Sequence, residues 1–166
     1  ESLTEDATYA LAVIVSLVSL ASQVYNPAVY ALGRKRGTDV FRQVTAEHPD
    51  DEQWPGLLML RVEGRLFFAN AERVADLLWA QVEKSRPRVL VLHCRAISDV
   101  EYTALKVLDE LALKLWRAGC ELWLVGFNPA VFEMVERLKL GNRLGHRNMY
   151  LNMTSAVESF LKRGAA

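Results

Sequence analysis

The chain has 166 residues, 51% hydrophobic and 24% charged, with 20 basic and 20 acidic residues and zero formal net charge. That suits one ordinary globular domain plus a short extra segment, and the balanced charge removes any electrostatic case for nucleic acid. Two cysteines, Cys94 and Cys120, fall beside predicted buried strands and read as small buried hydrophobes, reduced in a cytoplasmic domain. No pair of cysteines or histidines has metal-ligand spacing, so neither a metal nor a cofactor is expected.

Residues 7–21 are uncharged and apolar except for Thr8, Ser16 and Ser19, hydroxyls that a helix in lipid tolerates by bonding back to its own backbone. Taken from Glu5 to Tyr25, this predicted helix is roughly 30 Å long at about 1.5 Å per residue, one bilayer core. Glu1, Glu5 and Asp6 precede it, and Arg34, Lys35 and Arg36 follow, which puts the C-terminal side in the cytoplasm. Tyr9, Tyr25 and Tyr30 sit near the two ends, as interfacial rings do. A cleaved signal peptide has the opposite charge order. The competing reading is a buried core helix of a soluble protein. The absence of an initial Met suggests a piece of a longer chain.

Residues 37–55 read as a polar connector, most loop-like at residues 49–52. Residues 57–62 predict a strand, Glu63-Gly64 a tight turn, and residues 66–69 the returning strand of an antiparallel hairpin. Phe67 and Phe68, adjacent on that strand, are expected to face opposite sides, one into the core and one toward a partner. Asn70 is placed to cap a helix to about Lys84, with Val74, Leu77, Leu78 and Val82 on its apolar face. Arg86-Pro87 breaks it, and residues 89–92 form a strand buried on both faces.

Ser98 and Glu101 have the spacing of a capping box for a long helix carrying Leu105, Leu108, Ala112, Leu115 and Trp116, with Gly119 as its stop. Residues 122–125 are the next buried strand. Asn128-Pro129 opens a third helix bearing Val131, Met134, Val135 and Leu138. Residues 149–151 suit a short last strand, and Thr154 or Ser155 starts a final helix holding Val157, Phe160 and Leu161. The order ββαβαβαβα argues for a largely parallel sheet with right-handed crossovers.

Catalysis is not expected. His48, His93 and His146 are scattered, no Ser lies in a nucleophile elbow, and Gly141 and Gly145 match no phosphate-loop fingerprint. Asp99 and Glu101 are either paired carboxylates or acids favoured at a helix N-terminus. The loop of Ser98, Asp99, Glu101, Tyr102 and Thr103 follows a central strand and opens a helix, where ligands and partners meet an open α/β sheet. A phosphate on Ser98 or Thr103 gains from backbone N–H groups there but adds about two negative charges beside Asp99 and Glu101. The alternative is that Thr103 packs in the first turn.

Three segments carry a resemblance. Residues 32–42 (LGRKRGTDVFR), 64–72 (GRLFFANAE), and 97–105 (ISDVEYTAL) followed by 108–111 (LDEL) are similar, in order and spacing, to the C-terminal end of the SulP family of sulfate permease-like anion transporters. The resemblance implies the last membrane helix (residues 1–31), a linker (32–55) and a cytoplasmic STAS domain (56–166) with a mixed sheet and helices mostly on one side. It implies a parent protein in the plasma (inner) membrane that moves anions such as sulfate, bicarbonate or dicarboxylates. The STAS domain is then expected to serve assembly, dimerisation and regulation, with the parent's membrane domain, a second copy and a cytosolic regulator as partners. STAS domains also resemble anti-sigma-factor antagonists, switched by phosphorylation in this loop. Aligning that motif puts Thr103 at the phosphorylated hydroxyl, with Glu101, Tyr102 and Ala104 departing from its Asp, Ser and Gly. The resulting candidates are Ser98, Asp99, Glu101, Tyr102 and Thr103 for regulation and Phe67 and Phe68 for an interface.

Overall fold

A computed structural model describes residues 2–164; Glu1, Ala165 and Ala166, part of the expected flank and domain range, lie outside the described residues. The first element is α1 (Ser2–Tyr25), exposed all round from Thr4 to Tyr25. Its stretch Thr4–Tyr25 contains an 18-residue window with a mean hydropathy of 1.8, none of that window buried within the molecule. At about 1.5 Å per residue it is long enough for a hydrocarbon core of ~30 Å. A core helix of a soluble protein hides an apolar face, and α1 hides none. Two hydroxyls bond back as expected: Thr8 Oγ1 donates to the Thr4 carbonyl at 2.7 Å, and Ser16 Oγ to the Ala12 carbonyl at 2.8 Å. Pro27 disfavours helical geometry at Asn26, where the helix stops.

Two strands occupy the stretch expected to be helix end and connector: β1 (Ala28–Arg34) and β2 (Phe41–Gln43). The apolar run Val29 to Leu32 continues the apolarity of α1, so composition hides the change of element. The predicted hairpin is also replaced. Residues 57–66 form one strand, β3 (Leu57–Leu66), running straight through Glu63-Gly64. Gly64 has φ +106°, a left-handed value that favours glycine, and the pairing register slips between Gly64 and Leu66. Glycine therefore marks an irregularity within a strand here. The antiparallel partner of β3 is β1, with Ala28 opposite Glu63 and Ala31 opposite Leu60.

The rest alternates: α2 (Ala71–Ser85), β4 (Val89–His93), β5 (Ile97–Val100), α3 (Tyr102–Arg117), β6 (Glu121–Val125), α4 (Pro129–Glu136), α5 (Lys139–Leu144), a 3-10 turn at His146–Asn148, β7 (Met149–Tyr150) and α6 (Met153–Gly164). The sheet order is β2-β1-β3-β4-β6-β7, with β5 added beside the end of β3. The strands β3, β4, β6 and β7 are parallel.

Side-chain alternation along the strands makes two cores. Leu60, Val62, Leu90, Leu92, Leu122 and Leu124 pack with Leu78, Leu105 and Leu115 of α2 and α3, and with α4 and α5. Leu57, Met59, Val89, Val91, Trp123 and Val125 pack instead with Ala156, Val157 and Phe160 of α6. Four helices cover one face and one the other, which explains why β4 and β6 read as continuous apolar runs. Cys94 and Cys120 are buried; burial pushes the Cys94 thiol far up and that of Cys120 up to about 11.

Smaller differences have local causes. Trp116, expected on the apolar stripe of α3, is exposed, and Leu111 is buried instead. Leu138 lies beyond α4 at the start of α5. Asn128 does accept from the Val131 N–H at 3.0 Å. The last helix starts earlier than expected because Asn152 Oδ1 accepts from the Ser155 N–H at 2.9 Å.

Candidate functional site

Because β1 runs antiparallel to β3, the C-terminus of α1 lies at the carboxyl end of the parallel strands. Ala28 pairs with Glu63, so the last three residues of β3 run about 10 Å past the start of β1 at ~3.3 Å each. They rise beside the last turn of α1. The N-termini of α2 and α3 open at the same end of the fold, so the loop singled out from sequence faces the side from which α1 enters.

Asn70 ties this tip together. It is 1% exposed and holds the position before α2, yet its side chain is not the predicted cap. Its Oδ1 accepts from the Phe67 N–H at 3.1 Å, and its Nδ2 donates to the Arg65 carbonyl at 2.8 Å and to the Val24 carbonyl at 3.2 Å. Beside it, Arg73 Nε donates to Asn26 Oδ1. The chain thus joins α1 to the turn between β3 and α2 through side chains of α2 and its leading residue.

The predicted capping box does not form. Ile97 and Val100 pair with Gly64 and Leu66, making β5 a strand with Ile97 and Val100 buried and Ser98 and Asp99 exposed. Helix α3 starts only at Tyr102, and Glu101 occupies the cap position without a side-chain capping bond. Its backbone N–H donates to the Leu66 carbonyl at 2.9 Å, and its Oε2 accepts from the Phe68 N–H at 3.3 Å. Asp99 is therefore not a helix-terminal acid. Its carboxylate is 3.1 Å from Arg65, which also stands 3.9 Å from Glu101. Sequence reasoning missed Arg65, whose only signal is its place beside Gly64.

Thr103 is exposed in the first turn of α3 and does not pack inward. Tyr102 is half-exposed with Lys106 Nζ 5.0 Å from its ring centre. Phe67 and Phe68 lie past the end of β3 in the turn before α2. Phe67 is half-buried, Phe68 is 71% exposed, and their rings meet edge to face at 5.9 Å. The structure thus gathers all the sequence candidates onto one tip. The chemistry available is recognition: solvent-accessible ion pairs, each worth about 0–1 kcal/mol, the exposed rings of Phe68 and Tyr102 and the exposed hydroxyls of Ser98 and Thr103. Among the described residues, no group of three or more His, Cys, Asp or Glu is placed to hold a metal ion.

Residues 48–156 match the STAS domain family. The chain is 26% identical over 166 residues to "High affinity sulfate transporter 2" of Stylosanthes hamata, covering 94% of this chain and 25% of that protein. It spans about a quarter of the length of the curated relatives it matches first. In fold it is similar to the murine Solute Carrier 26 family member A9 anion transporter in the inward-facing state, with TM-score 0.74, 19% identity, and coverage of 90% of this chain and 25% of that one. It is also similar to the SulP transporter STAS domain from Vibrio cholerae, with TM-score 0.57, 21% identity, and coverage of 71% and 91%.

Proposed function

The chain belongs to the STAS domain family, and on that premise we propose that it is the last membrane helix and cytoplasmic STAS domain of a SulP-type secondary anion transporter. The membrane segment ends at Asn26 and the domain begins at Ala28, with β1 and β2 part of its sheet. The observation that carries this reading is the junction: an apolar helix with no buried face, hydrogen-bonded through Val24 to the domain's own Asn70. A helix built that way suits lipid on its flanks and a rigid coupling at its base.

In this reading the domain acts in assembly, dimerisation and regulation in the plasma (inner) membrane, and the transport pathway lies in the parent's other membrane helices. The tip of Phe67, Phe68, Asp99 and Tyr102 is the face it offers to that membrane domain or a second copy. Sulfate, bicarbonate and dicarboxylates are the substrate classes.

Uptake of each labelled anion by cells expressing the parent, with and without residues 28–166, tests the proposal. We expect uptake or membrane assembly to fall on truncation. Unchanged uptake and unchanged assembly of the truncated parent, for every anion, would sink it.

A second reading is supported by the exposure of Thr103 at the head of a 16-residue helix: a phospho-switched interaction module of the anti-sigma-factor-antagonist type. A phosphate there meets helix N–H groups. Phosphoproteomics of the host that finds Ser98 and Thr103 unmodified under every growth condition removes this reading.

A further inference from the structure

A second site lies on the opposite face of the sheet, under α6. A cavity of about 550 Å³ is lined there by Arg61 of β3, His93 of β4, Arg95 just beyond it, Thr154 and Ser155 of α6, and Asp39 from the β1–β2 turn, among others.

Its polar groups are mostly donors. Arg61 Nε donates to His93 Nδ1 at 3.0 Å. A guanidinium does not give up its protons, so the imidazole is neutral with its hydrogen on Nε2. That Nε2–H has no hydrogen-bond partner among the described residues and stays open to solvent, although His93 as a whole is only 7% exposed. Arg61 also forms a loose ion pair with Glu63 at 3.8 Å and donates to the Tyr30 hydroxyl at 3.4 Å, through Nη1 in both cases, which leaves its Nη2 for a ligand. Arg95 makes no ion pair among the described residues. The first-turn N–H groups of Met153 and Thr154 have no acceptor within α6. The guanidinium of Arg95, in no ion pair among the described residues, and several donors open to solvent around one cavity favour an anionic ligand.

Two acids also line it. Asp39 Oδ1 accepts from the Thr154 hydroxyl at 3.2 Å. Glu158, in the second turn of α6, is unpaired among the described residues and suits a donor on the body of a ligand. The volume exceeds that of a bare tetrahedral ion.

We propose that the cavity bounded by Arg61, His93, Arg95 and the first turn of α6 binds an oxyanion, either a free ion or the phosphoryl or sulfate group of a small hydroxylated molecule. Arg61 and Arg95 hold the oxygens, His93 Nε2–H and the α6 N–H groups complete the cradle, and Glu158 takes a hydroxyl of the ligand body. Such a site lets the cytoplasmic domain sense an anion independently of any transport pathway. It rests on the cavity alone and goes beyond the transporter reading.

The test uses the full chain in detergent with ¹⁵N-labelled histidine, assigning the His93 signals by their loss in His93→Gln. Sodium sulfate, sodium phosphate and glucose 6-phosphate are titrated against chloride at constant ionic strength. We expect a saturable shift of the His93 resonances and a rise of its protonation midpoint by about one pH unit, as a new negative neighbour gives. Arg95→Gln should weaken binding about tenfold by removing one charge-assisted contact. Equal affinity for sulfate and glucose 6-phosphate identifies a free ion, and much tighter glucose 6-phosphate binding identifies an organic phosphate. Shifts that are absent, non-saturating or unchanged in Arg95→Gln overturn the proposal. Loss of transport on domain truncation does not bear on it, so the two readings fail separately.

Discussion

Asn70 Nδ2 lies 3.2 Å from the carbonyl oxygen of Val24, a hydrogen bond spanning 46 residues from the leading residue of α2 to the last turn of the apolar helix. The same buried amide also holds the Arg65 carbonyl and the Phe67 N–H. One side chain therefore fixes the base of α1, the end of β3 and the start of α2.

Asn70→Ala should destabilise the domain by about 2 kcal/mol, since it strands two carbonyls and one N–H, all part-buried. Asn70→Asp keeps the acceptor for Phe67 but sets a buried carboxylate against the Arg65 and Val24 carbonyls, so it should cost at least as much. The specific signature is faster hydrogen exchange at the 22–26 amides in both variants. Denaturant unfolding together with exchange on the full chain reads both effects. Loss of less than about 0.5 kcal/mol with unchanged exchange would mean that Asn70 does not couple α1 to the domain.

Phe68 and Phe67 separate binding from folding. Truncating the exposed Phe68 removes almost no buried area, so Phe68→Ala should stay within about 0.5 kcal/mol of the parent. Phe67→Ala should cost about 1–2 kcal/mol for its half-buried ring. On the interface reading, Phe68→Ala lowers the assembled fraction seen by cross-linking in membranes, at unchanged thermal midpoint. Equal unfolding of both variants would reject the assignment of Phe68 to an interface.

Much of the fold is legible in sequence where the signal is local. Asn128-Pro129 caps α4, Arg86-Pro87 ends α2, and the runs at 89–92 and 122–125 mark strands buried on both faces. The misreadings share one cause: a local signal with two structural meanings. Gly64 suits a turn and a strand irregularity alike, and only the partner strand β5 decides. Ser98 and Glu101 have the spacing of a capping box, while Ser98 lies in β5, whose Ile97 and Val100 are buried beside β3. Val29 to Leu32 continues the apolarity of α1. At the site, the candidates Ser98 to Thr103 and Phe67-Phe68 came from chain position, and their convergence on one tip follows from the extension of β3. The roles of Arg65 and Asn70 depend on partners 34 and 46 residues away, for which no spacing rule exists.

Gly141 should be the least tolerant glycine in the domain. A Cβ there would stand 2.4 Å from the Val135 carbonyl oxygen and 2.7 Å from the Glu136 Cα, both backbone atoms that cannot swing aside. Gly141→Ala should therefore separate α4 from α5 and cost about 2–4 kcal/mol, in the range of severe overpacking. At Gly37 a Cβ would meet nothing within 4 Å, so only the penalty of φ +73° applies, and Gly37→Ala should cost about 1 kcal/mol. Thermal unfolding of the two variants checks the ranking; a Gly141→Ala protein as stable as Gly37→Ala contradicts the close approach.

His93 should make stability depend on pH in a definite window. Burial pushes its pKa down to about 4, helped by the positive charges of Arg61 and Arg95, against an ordinary value of 6.5. The folded protein then binds fewer protons at this site than the unfolded chain between those values, so stability falls as pH drops from 6.5 toward 4. Below about 4 both states are protonated and this contribution stops changing. At about 1.4 kcal/mol per pH unit the loss is bounded at ~3 kcal/mol. Asp39 and Glu158 face the same cavity, so the slope is read on the neutral side of the window, between pH 6.5 and 5, where the imidazole carries the change. His93→Gln retains an oxygen to accept from Arg61 and has no proton to gain. Its unfolding free energy should be nearly flat over that range, while the parent loses about 1–2 kcal/mol. Denaturant titrations at half-unit pH steps measure both curves, and parallel slopes would show that His93 is not the group that titrates.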